Sequence, residues 1–140
     1  MKVSFSILGE PYGKGRPRFR KVGNFQQPYT PEATASYENL VKLEYRRQCH
    51  DWNFGKDVPL DVRITAYFQI PESTSKKKKA LMLERKIRPM KKPDFDNIGK
   101  IICDSLNKIA YNDDSQVVDC QIRKFYSDNP RVVITIQEAS

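Results

Sequence analysis

The sequence predicts a single α+β domain, a small mixed β-sheet with helices packed against it. Three observations carry this. A chain of 140 residues suits one domain with a real core. Strict two-residue alternation of apolar and polar side chains recurs near the start, the middle and the end of the chain. Between those stretches lie segments with apolar residues at helical spacing, so strands and helices are interspersed.

The elements follow in order. Val3, Phe5 and Ile7 alternate with Lys2, Ser4 and Ser6, which predicts a first strand. A basic arm over residues 11–31 comes next, with Lys14, Arg16, Arg18, Arg20 and Lys21 and no acidic residue. Tyr12, Phe19, Phe25 and Tyr29 are interleaved with those charges. Gly13, Gly15 and Gly23 make it loop-like, though residues 18–20 and 27–29 can pair around the Gly23-Asn24 turn. Cations and aromatics on one arm suit phosphate contacts combined with base stacking. A solvated surface loop is the plainer reading, but the lack of any neutralising carboxylate favours nucleic acid.

Thr30-Pro31 predicts a helix start, with Thr30 as N-cap, Pro31 at the first helical position and Glu32 in the first turn. Ala33, Tyr37, Leu40, Val41 and Tyr45 make its apolar face. His50, the single histidine, reads as a helix-terminal residue rather than a catalytic base. Trp52 and Phe54 sit in a loop over the edge of the core. Leu60, Val62, Ile64, Ala66 and Phe68 alternate with Asp61, Arg63, Thr65 and Tyr67, which predicts the clearest strand. Residues 73–86 read as a helix with Ala80, Leu81 and Leu83 apolar. Lys76 to Lys79 in its first turns oppose the helix dipole and make an electropositive patch. A last strand spans residues 131–136.

Lys and Arg number 25 against 17 Asp and Glu, a net charge of +8, which favours an anionic partner, nucleic acid before a membrane surface. No apolar run approaches the roughly 18 residues of a membrane span, and the stretch at residues 3–8 is too short for a signal peptide. Cys49, Cys103 and Cys120 are odd in number and form no CxxC, which argues against a disulfide framework or a zinc site and fits a reducing cytoplasm.

Residues 92–126 concentrate the chemistry as a helix, a turn and a strand. Asp94 and Asp96 open an amphipathic helix whose apolar face is Ile98, Ile101, Ile102, Leu106 and Ile109. Asp96, Lys100 and Asp104 line the other side at spacing four. A turn then delivers Asp113 and Asp114, and Val118, Cys120 and Ile122 alternate as a half-buried strand. Each carboxylate alone has an ordinary explanation: Asp94 as N-cap, Asp96 paired with Lys100, Asp113-Asp114 as a turn. If the strand returns the turn beside the helix start, three or four carboxylates converge. They then need protons or a cation. Oxygen ligands favour Mg2+ or Mn2+, which activates water and polarises a phosphodiester. Lys100 would sit where negative charge develops during phosphoryl transfer.

At these residues the chain resembles the RusA family of Holliday junction resolvases. The pattern K-x-D-x-D-N-x-x-K stands as Lys92, Asp94, Asp96, Asn97 and Lys100, followed by Asp104-Ser105-Leu106 and by Asp113, Asp114, Gln116 and Val117. Lys14-Gly15-Arg16-Pro17-Arg18 and Tyr29-Thr30-Pro31 match further elements of the family, so the likeness spans most of the chain. The resemblance implies a homodimeric α+β endodeoxyribonuclease of recombination and repair, nicking four-way junction DNA symmetrically with Mg2+ or Mn2+. It implies that Asp94, Asp96 and one of Asp113 and Asp114, with Asp114 favoured, hold metal, and that Lys100 is the catalytic lysine. Lys14, Arg16, Arg18, Arg20, Lys76, Lys91 and Lys92 are then expected to hold DNA. Two rivals stand beside it: a non-catalytic nucleic-acid-binding module, and a metal-dependent nuclease acting on other branched DNA.

Overall fold

Alternating apolar side chains along three strands build the core from one face of a sheet. A computed structural model describes residues 1–15 and 18–140, and Arg16, expected to hold DNA, lies outside the described residues. In chain order the elements are β1 (Lys2–Leu8), β2 (Arg18–Val22), β3 (Phe25–Tyr29), α1 (Glu32–Cys49), β4 (Leu60–Gln69), α2 (Lys76–Leu83), α3 (Phe95–Ser105), a 3-10 turn (Asp114–Gln116), β5 (Val117–Ser127) and β6 (Arg131–Glu138). Four strands form a mixed sheet in the order β1-β6-β4-β5, and β2-β3 form a separate hairpin. β1 and β4 each run antiparallel to β6, while β4 and β5 are parallel. A parallel pair needs a long crossover, and here it carries α2 and α3. This is the α+β, mixed-sheet architecture expected from the sequence.

The inward residues are those the alternation marks. Phe5 and Ile7 of β1, Leu60, Val62, Ile64, Ala66 and Phe68 of β4, and Val132, Ile134 and Ile136 of β6 are all buried in one cluster. Each of these side chains other than Ala66 contributes about 1.5–3 kcal/mol on removal from water. α1 lies over β1, where the Tyr45 ring meets Phe5 edge-on at 5.2 Å. α3 adds Ile98, Ile101 and Ile102, all fully buried. The Gly23-Asn24 hairpin forms as the sequence suggests, with Gly23 in the left-handed region at φ 61° and Arg18 opposite Tyr29, Arg20 opposite Gln27 and Val22 opposite Phe25.

Several boundaries differ from expectation. α1 begins at Glu32 with Pro31 in the capping position and no side-chain cap, so Thr30 does not cap it. Its buried face includes Thr34 and Cys49, while Ala33 is exposed. α2 is shorter than residues 73–86, is capped by the Ser75 hydroxyl, and buries Met82 rather than Ala80 or Leu83. α3 stops at Ser105 rather than near Ile109. Leu106 caps it, and residues 106–111 turn back under the Tyr111 hydroxyl, which donates to the Cys103 carbonyl at 2.6 Å. β5 is an edge strand, and Val118 and Cys120 are exposed rather than half-buried. No helix among the described residues is long and apolar enough to cross a membrane.

Candidate active site

One wall of the site is α3. Its apolar residues bind it to the core, so the opposite stripe of Asp96, Lys100 and Asp104 is turned outward. The facing wall is β5, brought close because Gly99 carries no side chain. A Cβ there would stand 2.6 Å from Ile122 Cδ1. The open groove between them is lined by Asp96, Gly99, Lys100, Cys103 and Asp104 of α3, by Cys120, Gln121 and Ile122 of β5, and by Asp114 on the turn between them.

Asp94 occupies the N-cap position of α3, but its side chain accepts no capping hydrogen bond. It takes the Lys92 ammonium instead, at 2.8 Å. It lies in a second hollow with Lys91, Lys92, Phe95 and Lys124, and Asp96 lines both hollows. Lys124 of β5 donates to the carbonyls of Lys91 at 2.6 Å and Pro93 at 3.0 Å, pinning the chain that leads into the helix. Partial burial, with Lys92 and Lys91 nearby, pushes the Lys124 pKa down against the opposing pull of Asp94.

The second acidic pair divides its labour. Asp113 is part of a capping box with Gln116, and its carboxylate also accepts from the Ser115 hydroxyl at 2.8 Å. That bond lowers its pKa. Asp114 is left to face the groove. Asn107 accepts its backbone N–H at 2.8 Å, and its carboxylate lines the same groove as Asp104. Burial, then the contacts with Asp113 and Asp104, push the Asp114 carboxyl above its ordinary 3.8. The turn therefore returns beside the second half of α3 rather than beside its start. Asp96 and Asp104 are eight residues apart, roughly 12 Å along a helix, so the carboxylates form a line and not a single cluster. Among the described residues, no three His, Cys, Asp or Glu side chains are placed to hold a metal ion by themselves.

Asp104 belongs to a cation network that spacing alone could not show. Lys14 Nζ stands 3.2 Å from Asp104 and 3.1 Å from Glu38 of α1, and Lys100 approaches Asp104 at 3.6 Å. Burial disfavours the Lys14 charge, but its hydrogen bonds to Glu38 and Asp104 outweigh that and raise its pKa. The segment bearing Lys14 is docked on α3. The Lys14 N–H donates to the Asn97 carbonyl at 3.0 Å, and a Cβ on Gly13 would stand 2.6 Å from Pro93 Cβ. Lys14 is thus tied to a carboxylate of the groove, while itself lining a separate hollow with Tyr12, Arg18 and Thr34. Arg18 and Arg20 stand exposed on the hairpin, Lys76 is exposed at the first position of α2, and Lys91 and Lys92 flank Asp94. Sequence reasoning noted Asp104 as one of a stripe and as part of the family pattern but gave it no role, and it missed Glu38 and Lys124.

The fold and the groove define a class: a small, basic α+β domain with an acidic line along one helix and cations beside it. The family described as Endodeoxyribonuclease RusA matches residues 9–137. The chain is 36% identical over 138 residues to the protein YqaN of Bacillus subtilis (strain 168), covering 99% of this chain and 97% of that one. It is 30% identical over 140 residues to the crossover junction endodeoxyribonuclease rusA of Lactococcus phage r1t, covering 98% of this chain and 97% of the phage protein. The chain belongs to the RusA family of endodeoxyribonucleases.

Proposed function

We propose that this protein is a divalent-cation-dependent endonuclease that resolves four-way junction DNA in recombination and repair, acting as a homodimer in the cytoplasm. One observation supports it above others: Asp96, Lys100, Asp104 and Asp114 line a single groove in a chain of net charge +8. The likeness to the phage crossover junction enzyme supports the substrate, and a two-fold dimer suits a substrate with its own two-fold axis. Three unpaired cysteines suit a reducing compartment.

The donor set fits Mg2+ or Mn2+. The groove offers carboxylate oxygens without a complete cage, and Mg2+ takes one or two carboxylates and completes its shell with water and phosphate oxygens. Burial first, and then the neighbouring carboxyls of Asp113 and Asp104, raise the Asp114 pKa, and a cation beside it would relieve that cost. Asp96 toward one end of the groove and Asp114 toward the other would each offer carboxylate oxygens to an ion, with Asp94 contributing once released from Lys92. The bound ion supplies an activated water and a polarised phosphodiester. The protein's own groups do the rest. Lys100 offers an ammonium to charge developing on the phosphate or on the departing oxygen. Lys14 holds Asp104 in place. Lys91 and Lys92 draw the backbone over the site.

The test is cleavage of a labelled four-way junction beside a linear duplex of the same sequence, with Mg2+, Mn2+ or EDTA. Paired nicks in the junction alone, lost in EDTA and in Asp96→Asn, establish the reading. Cuts in both DNAs keep the chemistry and overturn junction selectivity. The ion pairs already on Asp94 and Asp104 favour a second reading, a binding module without catalysis. It requires divalent-independent binding with a steep salt slope and no product.

A further inference from the structure

The β2-β3 hairpin carries its apolar residues where the fold makes no use of them. No residue of either strand is buried, and Tyr29 alone is partly covered. Phe25 is 78% exposed, Phe19 61% and Val22 50%. The register places Val22 opposite Phe25 at the tip and Arg20 opposite Gln27 behind them. Alternation puts Arg18, Arg20, Val22, Phe25 and Tyr29 on one face. Arg20 is braced there, 5.6 Å over the Tyr29 ring and bonded to Gln27 at 3.2 Å. The hairpin has three cations, Arg18, Arg20 and Lys21, and no carboxylate. Its base continues into the Lys14 segment that is held on α3 beside the groove. Five residues per strand give a ribbon roughly 17 Å long.

We propose that this hairpin enters opened DNA tip-first, Phe25 stacking on an unpaired base while Arg18 and Arg20 hold the flanking phosphates. The occupant follows from the chemistry: an aromatic ring among uncompensated cations matches a base attached to a phosphate chain. A closed duplex keeps its bases stacked on one another, so the hairpin selects branched over linear DNA. The inference rests on the nuclease reading for its substrate, and it names how the branch is sensed.

The experiment uses the full chain as Asp96→Asn, so that DNA stays intact. A four-way junction carries 2-aminopurine at the branch, and a linear duplex carries it mid-helix. Adding Phe25→Ala should remove the fluorescence response and weaken junction binding about tenfold, the scale of one lost stacking contact. Linear duplex binding should change by less than about twofold, as for a surface substitution. Phe25→Trp should restore both signals. Equal loss on the two DNAs, or no loss on the junction, overturns the proposal. Cleavage by the chain with Asp96 intact is followed in parallel. A Phe25 effect without any cleavage keeps the hairpin role and removes the nuclease reading. Failure to bind either DNA overturns both.

Discussion

The α3 groove and the β2-β3 hairpin are both charged and both exposed, yet they are held by opposite means. α3 is fixed by three fully buried isoleucines and by the close approach of β5 at Gly99, so its polar stripe inherits the rigidity of the core. The hairpin buries nothing and depends on its own ladder and turn, and an isolated two-stranded hairpin is marginal in water. Chemistry requires groups held to fractions of an ångström. An element that follows the shape of an opened strand gains from yielding. Damage to the groove should therefore appear in stability or catalysis, and damage to the hairpin in DNA preference alone.

The largest expected effect sharpens this contrast. Asp96→Asn should lower cleavage by about 10³-fold, the scale of losing a main electrostatic partner of the transition state. Its Tm without metal should match wild type, and the rise in Tm on adding Mg2+ should disappear. Thermal scans beside cleavage assays check both. Ile101→Ala, directly beneath the stripe, should cost about 2–5 kcal/mol of folding stability, read by urea denaturation. Gly13→Ala should strike between those two extremes. The added methyl meets Pro93 and Asn97 and lifts Lys14 from Asp104, so activity should fall while stability drops by about 1–3 kcal/mol.

A smaller effect concerns pH. Because the folded protein raises the pKa of Asp114 above 3.8, ionising it opposes folding at higher pH. Asp114→Asn should make the metal-free protein slightly more stable at pH 7. That gain should vanish as pH falls below about 3.8, where the carboxyl is protonated in both states. Paired urea midpoints at the two pH values decide it. The smallest effect belongs to the hairpin: Phe25→Ala should change folding stability by less than about 0.5 kcal/mol. A larger loss would mean that the hairpin is part of the folded core's cooperative unit, and the contrast with α3 would fail.

The core was legible because alternation in β4 and β6 and the isoleucine spacing in α3 are one-dimensional patterns that map onto a face. The hairpin was legible from its turn residues. Helix limits were less so. Met82 is buried in α2, and the chain after it folds back onto β5, where Arg85 and Arg88 lie 4.3 Å from the Phe125 ring. Periodicity over eight residues does not report that. That Asp114 shares a groove with Asp104 depends on where a parallel crossover lands. Asp113 and Asp114 are indistinguishable in composition, and only the capping box shows which one the backbone uses. Lys14 reads in the sequence as one more cation of a basic arm. Its partners Glu38 and Asp104 are 24 and 90 positions away, and Gly13 reveals the contact only once Pro93 is seen against it.

The hairpin's independence from the core has a consequence for how its length can vary. Residues inserted or removed at the Gly23-Asn24 turn disturb no packed neighbour, so the rest of the fold tolerates them. The pleat, however, imposes a parity. Lengthening both strands by two residues keeps Phe25 and Arg20 on the same face, whereas a change of one turns the tip over relative to its base. Relatives of this chain can thus differ in reach in steps of about 7 Å while keeping the same side chains on one face of the hairpin.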